Sequence, residues 1–149
     1  MTNNVADFLA SVNEAALQCA ILCRKVQGEM LSSMDKSDSS PVTIADYGCQ
    51  ALIHRAILLN HPEHALISEE GSDHLRKNAA PGEISAIVRL VSDALGNEVT
   101  ISDICGWIDH RGPAHSEYIG LLTLSMALKA SCAARNMPWQ SDYYKALRL

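Results

Sequence analysis

A mostly helical α/β chain with one or two short strands is what this sequence predicts, from three observations. Apolar residues recur at helical spacing through long segments, notably Val5 to Val26 and Ile84 to Leu95. A single short apolar run, Ala65 to Ser68, follows a turn and has the length of a strand rather than a helix. Turn and stop signals, Asn60-His61-Pro62, Gly96-Asn97 and Arg111-Gly112-Pro113, punctuate the periodic segments.

Taken in order, Val5, Phe8, Leu9, Val12, Ala16, Cys19, Ala20, Cys23 and Val26 form one stripe of a long amphipathic helix. Asn13, Glu14, Gln18 and Lys25 fall largely off it, and Gly28 is expected near the helix end. Ser32 to Pro41 is rich in Ser and Asp and reads as a loop, because Pro41 holds Ser40 out of the α region. Thr43 with Asp46 three residues on fits a capping box that opens a second helix, which runs to about Asn60. Ala65 to Ser68 reads as a buried strand that delivers Glu69 and Glu70 at its C-terminal end, and no partner strand stands out elsewhere. Ile84, Ile87, Val88, Val91 and Leu95 make a further helical stripe, with Gly96 as its stop. Ile101 to Asp109 supports a short helix. From His115 to about Arg135 the chain reads as one apolar helix, with another turn or two around Asp142 to Leu149. No internal repeat is present.

Composition excludes several function classes. The chain has 149 residues, the size of one domain or a piece of a larger one, and 48% apolar residues, enough for a core. Its 12 basic and 17 acidic residues give a formal charge of −5 with no basic block, so no nucleic-acid surface is expected. The apolar stretch Tyr118 to Ala130 is too short to span a bilayer and is closely bracketed by Glu117 and Lys129, so no membrane association is expected. No basic region followed by an apolar one marks a signal peptide, and five cysteines without a C-x-x-C pair suit reduced thiols and a cytoplasmic location. An acidic protein can still take an anionic small molecule if it first binds cations.

Chemistry-bearing residues are few. Asp46 at a helix start is either a capping carboxylate or part of a site, since both uses favour a negative group there. Glu69 and Glu70 at a strand end are either solvated surface charge or ligands. Taken together, the two acidic segments supply the oxygen donors that Mg²⁺ prefers, and that ion needs only one or two protein carboxylates beside water and substrate phosphate. Pro62 makes a helical pair of His61 and His64 unfavourable, so a turn is expected there in preference to a metal site. No nucleophile elbow, dinucleotide loop or phosphate loop occurs.

The run KSDSSPVTIADYGCQALI, Lys36 to Ile53, followed by ALISEEGSD, Ala65 to Asp73, resembles the N-terminal part of the 3'(2'),5'-bisphosphate nucleotidases. These belong to a Mg²⁺-dependent, lithium-sensitive phosphatase superfamily that includes inositol monophosphatase, and the K-x-D-x-S-P-V-T-x-A-D string favours the nucleotidase branch. The resemblance covers about Val5 to Asp109, so residues 1–109 read as part of such a phosphatase domain and 110–149 as a divergent helical tail. It implies a layered α/β fold of the inositol monophosphatase type, truncated here to the first helix pair and an early strand. It also implies Glu69 as a metal-binding glutamate with Glu70 in support, and Asp46 as the aspartate that, with a threonine, activates the attacking water. Lys36, Asp38 and Thr43 lie in the matching loop. The implied reaction is Mg²⁺-dependent removal of the 3'-phosphate of 3'-phosphoadenosine 5'-phosphate, giving AMP and phosphate.

After Trp107-Ile108-Asp109 the family pattern continues into a strand ending D-P-I-D-G-T, which brings two further metal-binding aspartates and the threonine. Here the sequence reads HRGPAHSEYIGLL, and Asp109 has neither the second aspartate nor the threonine behind it. Two other readings stay open: a catalytically inactive segment or interaction module that makes a protein contact through its apolar tail helix, and a phosphatase of inositol phosphates.

Overall fold

In the computed structural model the described residues are 5–32, 41–67, 71–114 and 119–121. Helix α1 spans Val5–Ser32, α2 Pro41–Asn60, α3 Asp73–Lys77, α4 Pro81–Leu95 and α5 Ile101–Asp109. Strand β1 is Ala65–Ile67 and β2 is Ile119–Leu121. Among the described residues the chain is thus mostly helical with two short strands.

Helix α1 continues through Gly28 and ends one turn later at Ser32, so Gly28 does lie near its end. An interior glycine costs only about 1 kcal/mol relative to alanine, too little to stop a helix whose preceding turns are buried. The buried face keeps Cys19, Cys23 and Val26 of the expected stripe, adds Ala15 and Leu22, and leaves Leu9 out. Leu9 is 52% exposed, and Leu17 and Ile21 also face outward.

Helix α2 begins at Pro41, so Thr43 lies inside it as its third residue and is not the N-cap. Proline suits a first turn because the N–H it lacks has no partner there in any helix. The expected loop before it, residues 33–40, lies outside the described residues. The predicted stop at Asn60 holds. Ile44, Tyr47, Cys49, Ala51, Leu52, Ile53 and Ile57 are all buried, which places apolar side chains around most of the helix. Such a helix belongs at the centre of a core, and α1, α4 and α5 all pack against it.

The α1–α2 contact is close. A Cβ at Gly48 would come within 2.7 Å of Leu22 Cδ1, and the thiols of Cys23 and Cys49 lie 3.6 Å apart across the same interface. Helix α4 is held to α1 by Lys25–Asp93 and Arg89–Glu29 ion pairs, each 2.8 Å. Both are solvent-exposed, and such pairs contribute at most about 1 kcal/mol.

The helix ends follow local rules. Pro81 opens α4, the Ala80 N–H donates to Glu83 Oε2 at 3.2 Å, and Gly96 closes the helix in the left-handed conformation at φ 70°. Thr100 caps α5: its Oγ1 accepts from the Asp103 N–H at 3.2 Å while the Thr100 N–H donates to Asp103 Oδ2 at 2.8 Å. The short α3 has no strong signal in the sequence and was not expected.

Strand β1 does have a partner. It pairs parallel with β2, Ala65 opposite Ile119, Leu66 opposite Gly120 and Ile67 opposite Leu121. The helix expected from His115 is therefore corrected at Ile119–Leu121. A short apolar run suits a strand as well as a helix, and β1 has backbone groups that need partners. The remainder of the expected tail helix, 122–149, lies outside the described residues. The expectation of a fully buried β1 is corrected too: Leu66 is 2% exposed, but Ile67 is 51% exposed.

Replacing Gly48 by alanine pushes a methyl group into Leu22, which is fully buried. We expect Gly48→Ala to cost about 1–3 kcal/mol, read as a lower urea midpoint with unchanged slope. Gly28→Ala, whose added Cβ meets nothing within 4 Å, should instead stabilise by about 0.5–1 kcal/mol.

Candidate functional site

Asp46 lies in the second turn of α2, half-buried, beside the buried Tyr47. The Tyr47 ring stacks on His74 with centroids 6.1 Å apart and planes 12° apart. That contact brings the start of α2 to the first turn of α3, a few residues beyond Glu70. Glu69 and Glu70 themselves, with Lys36 and Asp38, lie outside the described residues. Thr43 is placed in α2 by its backbone alone. Among the expected site residues, then, the structure describes the side chain of Asp46, and the acidic pair is bounded by Ile67 on one side and Gly71 on the other.

Both boundaries are tied to the end of α5. On the strand side, the Leu66 N–H donates to the Arg111 carbonyl at 2.8 Å. Gly112 adopts φ 69°, and a Cβ there would collide with the His64 carbonyl oxygen. That turn is therefore restricted to glycine on two counts. On the α3 side, Asp109 accepts from the Ser72 N–H at 2.9 Å and from Ser72 Oγ at 2.5 Å. Arg76 completes the group, donating to Ser72 Oγ at 2.8 Å and to Asp109 Oδ2 at 3.3 Å. Burial works to raise the Asp109 pKa, but the Ser72 hydrogen bonds and Arg76 outweigh it and hold the carboxyl below its ordinary range.

Asp109 is therefore an anchor for the start of α3, whose Ser72 lies two residues beyond Glu70 in sequence. In sequence Asp109 suggests only an incomplete metal motif, with neither the second aspartate nor the threonine behind it. A Ser-x-x-x-Arg spacing in α3 was the one available signal, and it is weak without knowledge that α5 ends beside it.

A second connection runs beneath this region. His54 on α2 is fully buried, and its Nδ1 lies 2.8 Å from the Trp107 carbonyl on α5. A carbonyl only accepts, so Nδ1 carries the proton. Burial dominates its ionisation and lowers its pKa to about 4; the Trp107 hydrogen bond opposes this, and Arg111 and His110 add to the lowering.

The expected turn at His61–His64 is present, the His64 N–H donating to the His61 carbonyl at 3.0 Å. Among the described residues Cys19, Cys23, Cys49 and Cys105 are buried and not joined by disulfides. Among the described residues no helix is long and apolar enough to cross a membrane.

Among curated proteins the chain is similar to several 3'(2'),5'-bisphosphate nucleotidases. The chain is 40% identical over 94 residues to 3'(2'),5'-bisphosphate nucleotidase 1 of Arabidopsis thaliana, covering 60% of this chain and 27% of that protein. It is 35% identical over 105 residues to the 3'(2'),5'-bisphosphate nucleotidase of Oryza sativa, covering 67% and 29%. It is 40% identical over 98 residues to the 3'(2'),5'-bisphosphate nucleotidase of Emericella nidulans, covering 64% and 27%. The chain thus spans less than a third of the length of these relatives. No family model matches it.

Two outcomes test the anchors. Asp109→Ala leaves the buried Ser72 hydroxyl without its acceptor and should cost about 1–3 kcal/mol. Because the Asp109 pKa is depressed, that difference is full above the ordinary value of 3.8 and shrinks as pH falls below it. For His54, the unfolded chain takes up a proton near pH 6.5 whereas the folded chain resists until about pH 4. Stability should therefore fall by about 1.4 kcal/mol per pH unit across that window on its account. His54→Asn, which keeps an N–H donor for Trp107, should flatten the slope in urea titrations at pH 7 and pH 5.

Proposed function

We propose, on the premise that about two thirds of this chain is a segment of the 3'(2'),5'-bisphosphate nucleotidase family, that it carries one part of a phosphatase site. The substrate class is a nucleoside 3',5'-bisphosphate such as 3'-phosphoadenosine 5'-phosphate, the reaction is hydrolysis of the 3'-phosphate, and the cofactor is Mg²⁺. The observation that carries this reading is the stacking of Tyr47, next to Asp46 on α2, on His74 of α3, four residues beyond Glu70 in sequence. An inositol monophosphatase-like layered fold, lithium sensitivity and a cytoplasmic location belong to the same proposal.

The donor chemistry fits Mg²⁺, since Asp46, Glu69 and Glu70 offer only hard oxygen atoms. The donor number does not reach the family pattern. The resemblance calls for a strand after α5 ending in D-P-I-D-G-T. Here β2 follows α5, and Leu122-Thr123-Leu124 follow it without a carboxylate. Glu69, supported by Glu70, would hold an ion that lowers the pKa of a bound water and neutralises phosphoryl charge. Asp46 would accept a proton from the attacking water, with its half-buried position on α2 limiting its freedom to turn away. The Asp109–Ser72–Arg76 group would keep the Glu69-Glu70 segment against α2.

Phosphoryl transfer depends on positioning and charge neutralisation more than on covalent chemistry. Missing aspartates therefore lower the rate steeply, and we propose that the 149 residues alone turn over slowly. The absence of D-P-I-D-G-T also favours a second reading, in which this chain is a non-catalytic relative that binds neither Mg²⁺ nor the nucleotide.

Phosphate release from 3'-phosphoadenosine 5'-phosphate with Mg²⁺ distinguishes the two. Slow, Mg²⁺-dependent release that Asp46→Asn lowers by about 10²–10⁴-fold, the usual worth of a general base, supports the first reading. Release equal in wild type and Asp46→Asn, or none from either, selects the second. Comparison of the nucleotide with an inositol monophosphate decides the substrate branch.

A further inference from the structure

The turn between α2 and β1 gathers His61, Glu63 and His64, each offering one ligand atom, with all three atoms within 4.8 Å of one another. The two imidazoles are 7% exposed, whereas the Glu63 side chain is 47% exposed, so the cluster is closed on one side and open on the other.

One of its distances is already that of ligands that share an ion, and the third atom lies within 4.8 Å of both. Glu63 Oε1 stands 3.6 Å from His64 Nε2, longer than the roughly 2.7–3.2 Å of an N–H···O hydrogen bond. Two atoms on one tetrahedral zinc ion, each about 2.0–2.2 Å from it, lie about 3.3–3.6 Å apart. The His61 and His64 ring centroids are 5.2 Å apart, and two imidazoles bound through nitrogen to one such ion have centroids about 5 Å apart.

The surroundings hold both rings in place. Phe8 of α1 packs against His61 at 5.1 Å and His64 at 5.0 Å. Ser11 Oγ is 3.3 Å from His61 Nε2, the kind of outer partner that fixes the tautomer and orientation of a ligand ring. The turn itself is held by the His61 N–H on the Ile57 carbonyl at 2.7 Å and the His64 N–H on the His61 carbonyl at 3.0 Å.

We propose that His61, Glu63 and His64 form a binding site for a borderline divalent metal ion of the Zn²⁺ class, with a fourth position left to water. Two imidazole nitrogens and one carboxylate suit zinc and not Mg²⁺, which prefers oxygen alone. This site is separate in chemistry and residues from the carboxylates of the proposed phosphatase site. A bound ion would clamp the α2–β1 turn at the point where the His64 carbonyl abuts Gly112 and where β1 begins.

Titration of the full chain with Zn²⁺ in excess Mg²⁺ tests this, with Co²⁺ absorption as a second readout. One equivalent should bind, Co²⁺ should show tetrahedral bands without thiolate charge transfer, and the melting temperature should rise with Zn²⁺. Glu63→Gln and His64→Gln should each weaken binding at least tenfold. His74→Ala, an exposed histidine outside the cluster, should leave it unchanged. Glu63 is half exposed, so Glu63→Gln should keep wild-type circular dichroism, which separates loss of a ligand from loss of the fold. The proposal is overturned if wild type binds no Zn²⁺. It is equally overturned if both variants bind as wild type does, or if the cobalt spectrum carries thiolate bands. None of these results depends on phosphatase activity.

Discussion

The close approach of α1 and α2 at Gly48 is the constraint on which the rest of the structure depends. Leu22 fills the space a side chain at Gly48 would occupy, and Cys19, Cys23, Cys49 and Leu52 are buried in the same core. With α1 seated so tightly, α2 becomes the central helix, and its other apolar sides are left for α4 and α5. Interiors pack at crystal-like density, so a single methylene at such a contact is felt by every element resting on it. Asp46, two residues before Gly48 and so on the opposite side of α2, takes its position from this seating.

The end of α5 is the second organising point. Within four residues, Asp109 holds Ser72 and Arg76, Arg111 receives the Leu66 N–H, and Gly112 lets the chain pass the His64 carbonyl. These contacts bracket the segment between β1 and α3 on both sides. His54 joins the same end of α5 to α2 through one hydrogen bond, at the expense of a buried imidazole kept neutral. Helices α2, α3 and α5 and strand β1 are thus coupled by a few polar contacts set on an apolar base.

Carboxylates in this chain divide by use. Asp103 caps α5 through Thr100, Glu83 supports the start of α4, Asp93 and Glu29 pair with α1 and α4 cations, and Asp109 anchors α3. Each has a structural duty that satisfies its charge. Asp46, half-buried on α2, takes no part in these caps and ion pairs between helices.

The sequence by itself determined the helices of strong period and their local ends: α4 with Gly96, α5 with its Thr100–Asp103 box, the stop at Asn60 and the turn at His61–His64. These depend on interactions a few residues long, so the amino acids there suffice. The existence of α2 was legible for a related reason, since its apolar residues recur through the segment up to the stop at Asn60. Tertiary structure alone decided the rest. Apolar residues lie on more than one side of α1, so only contact with α2 selects Leu22 and Ala15 over Leu9 and Leu17 for burial. Thr43 and Pro41 are both competent helix openers, and the start at Pro41 settles between them. Ile119–Leu121 is as good a helix as a strand until β1 offers unpaired backbone groups beside it. Asp109, Ser72 and Arg76 come from two distant segments, as do Phe8 and the His61–His64 turn. No local pattern records such a meeting, because it exists only once the chain has closed on itself.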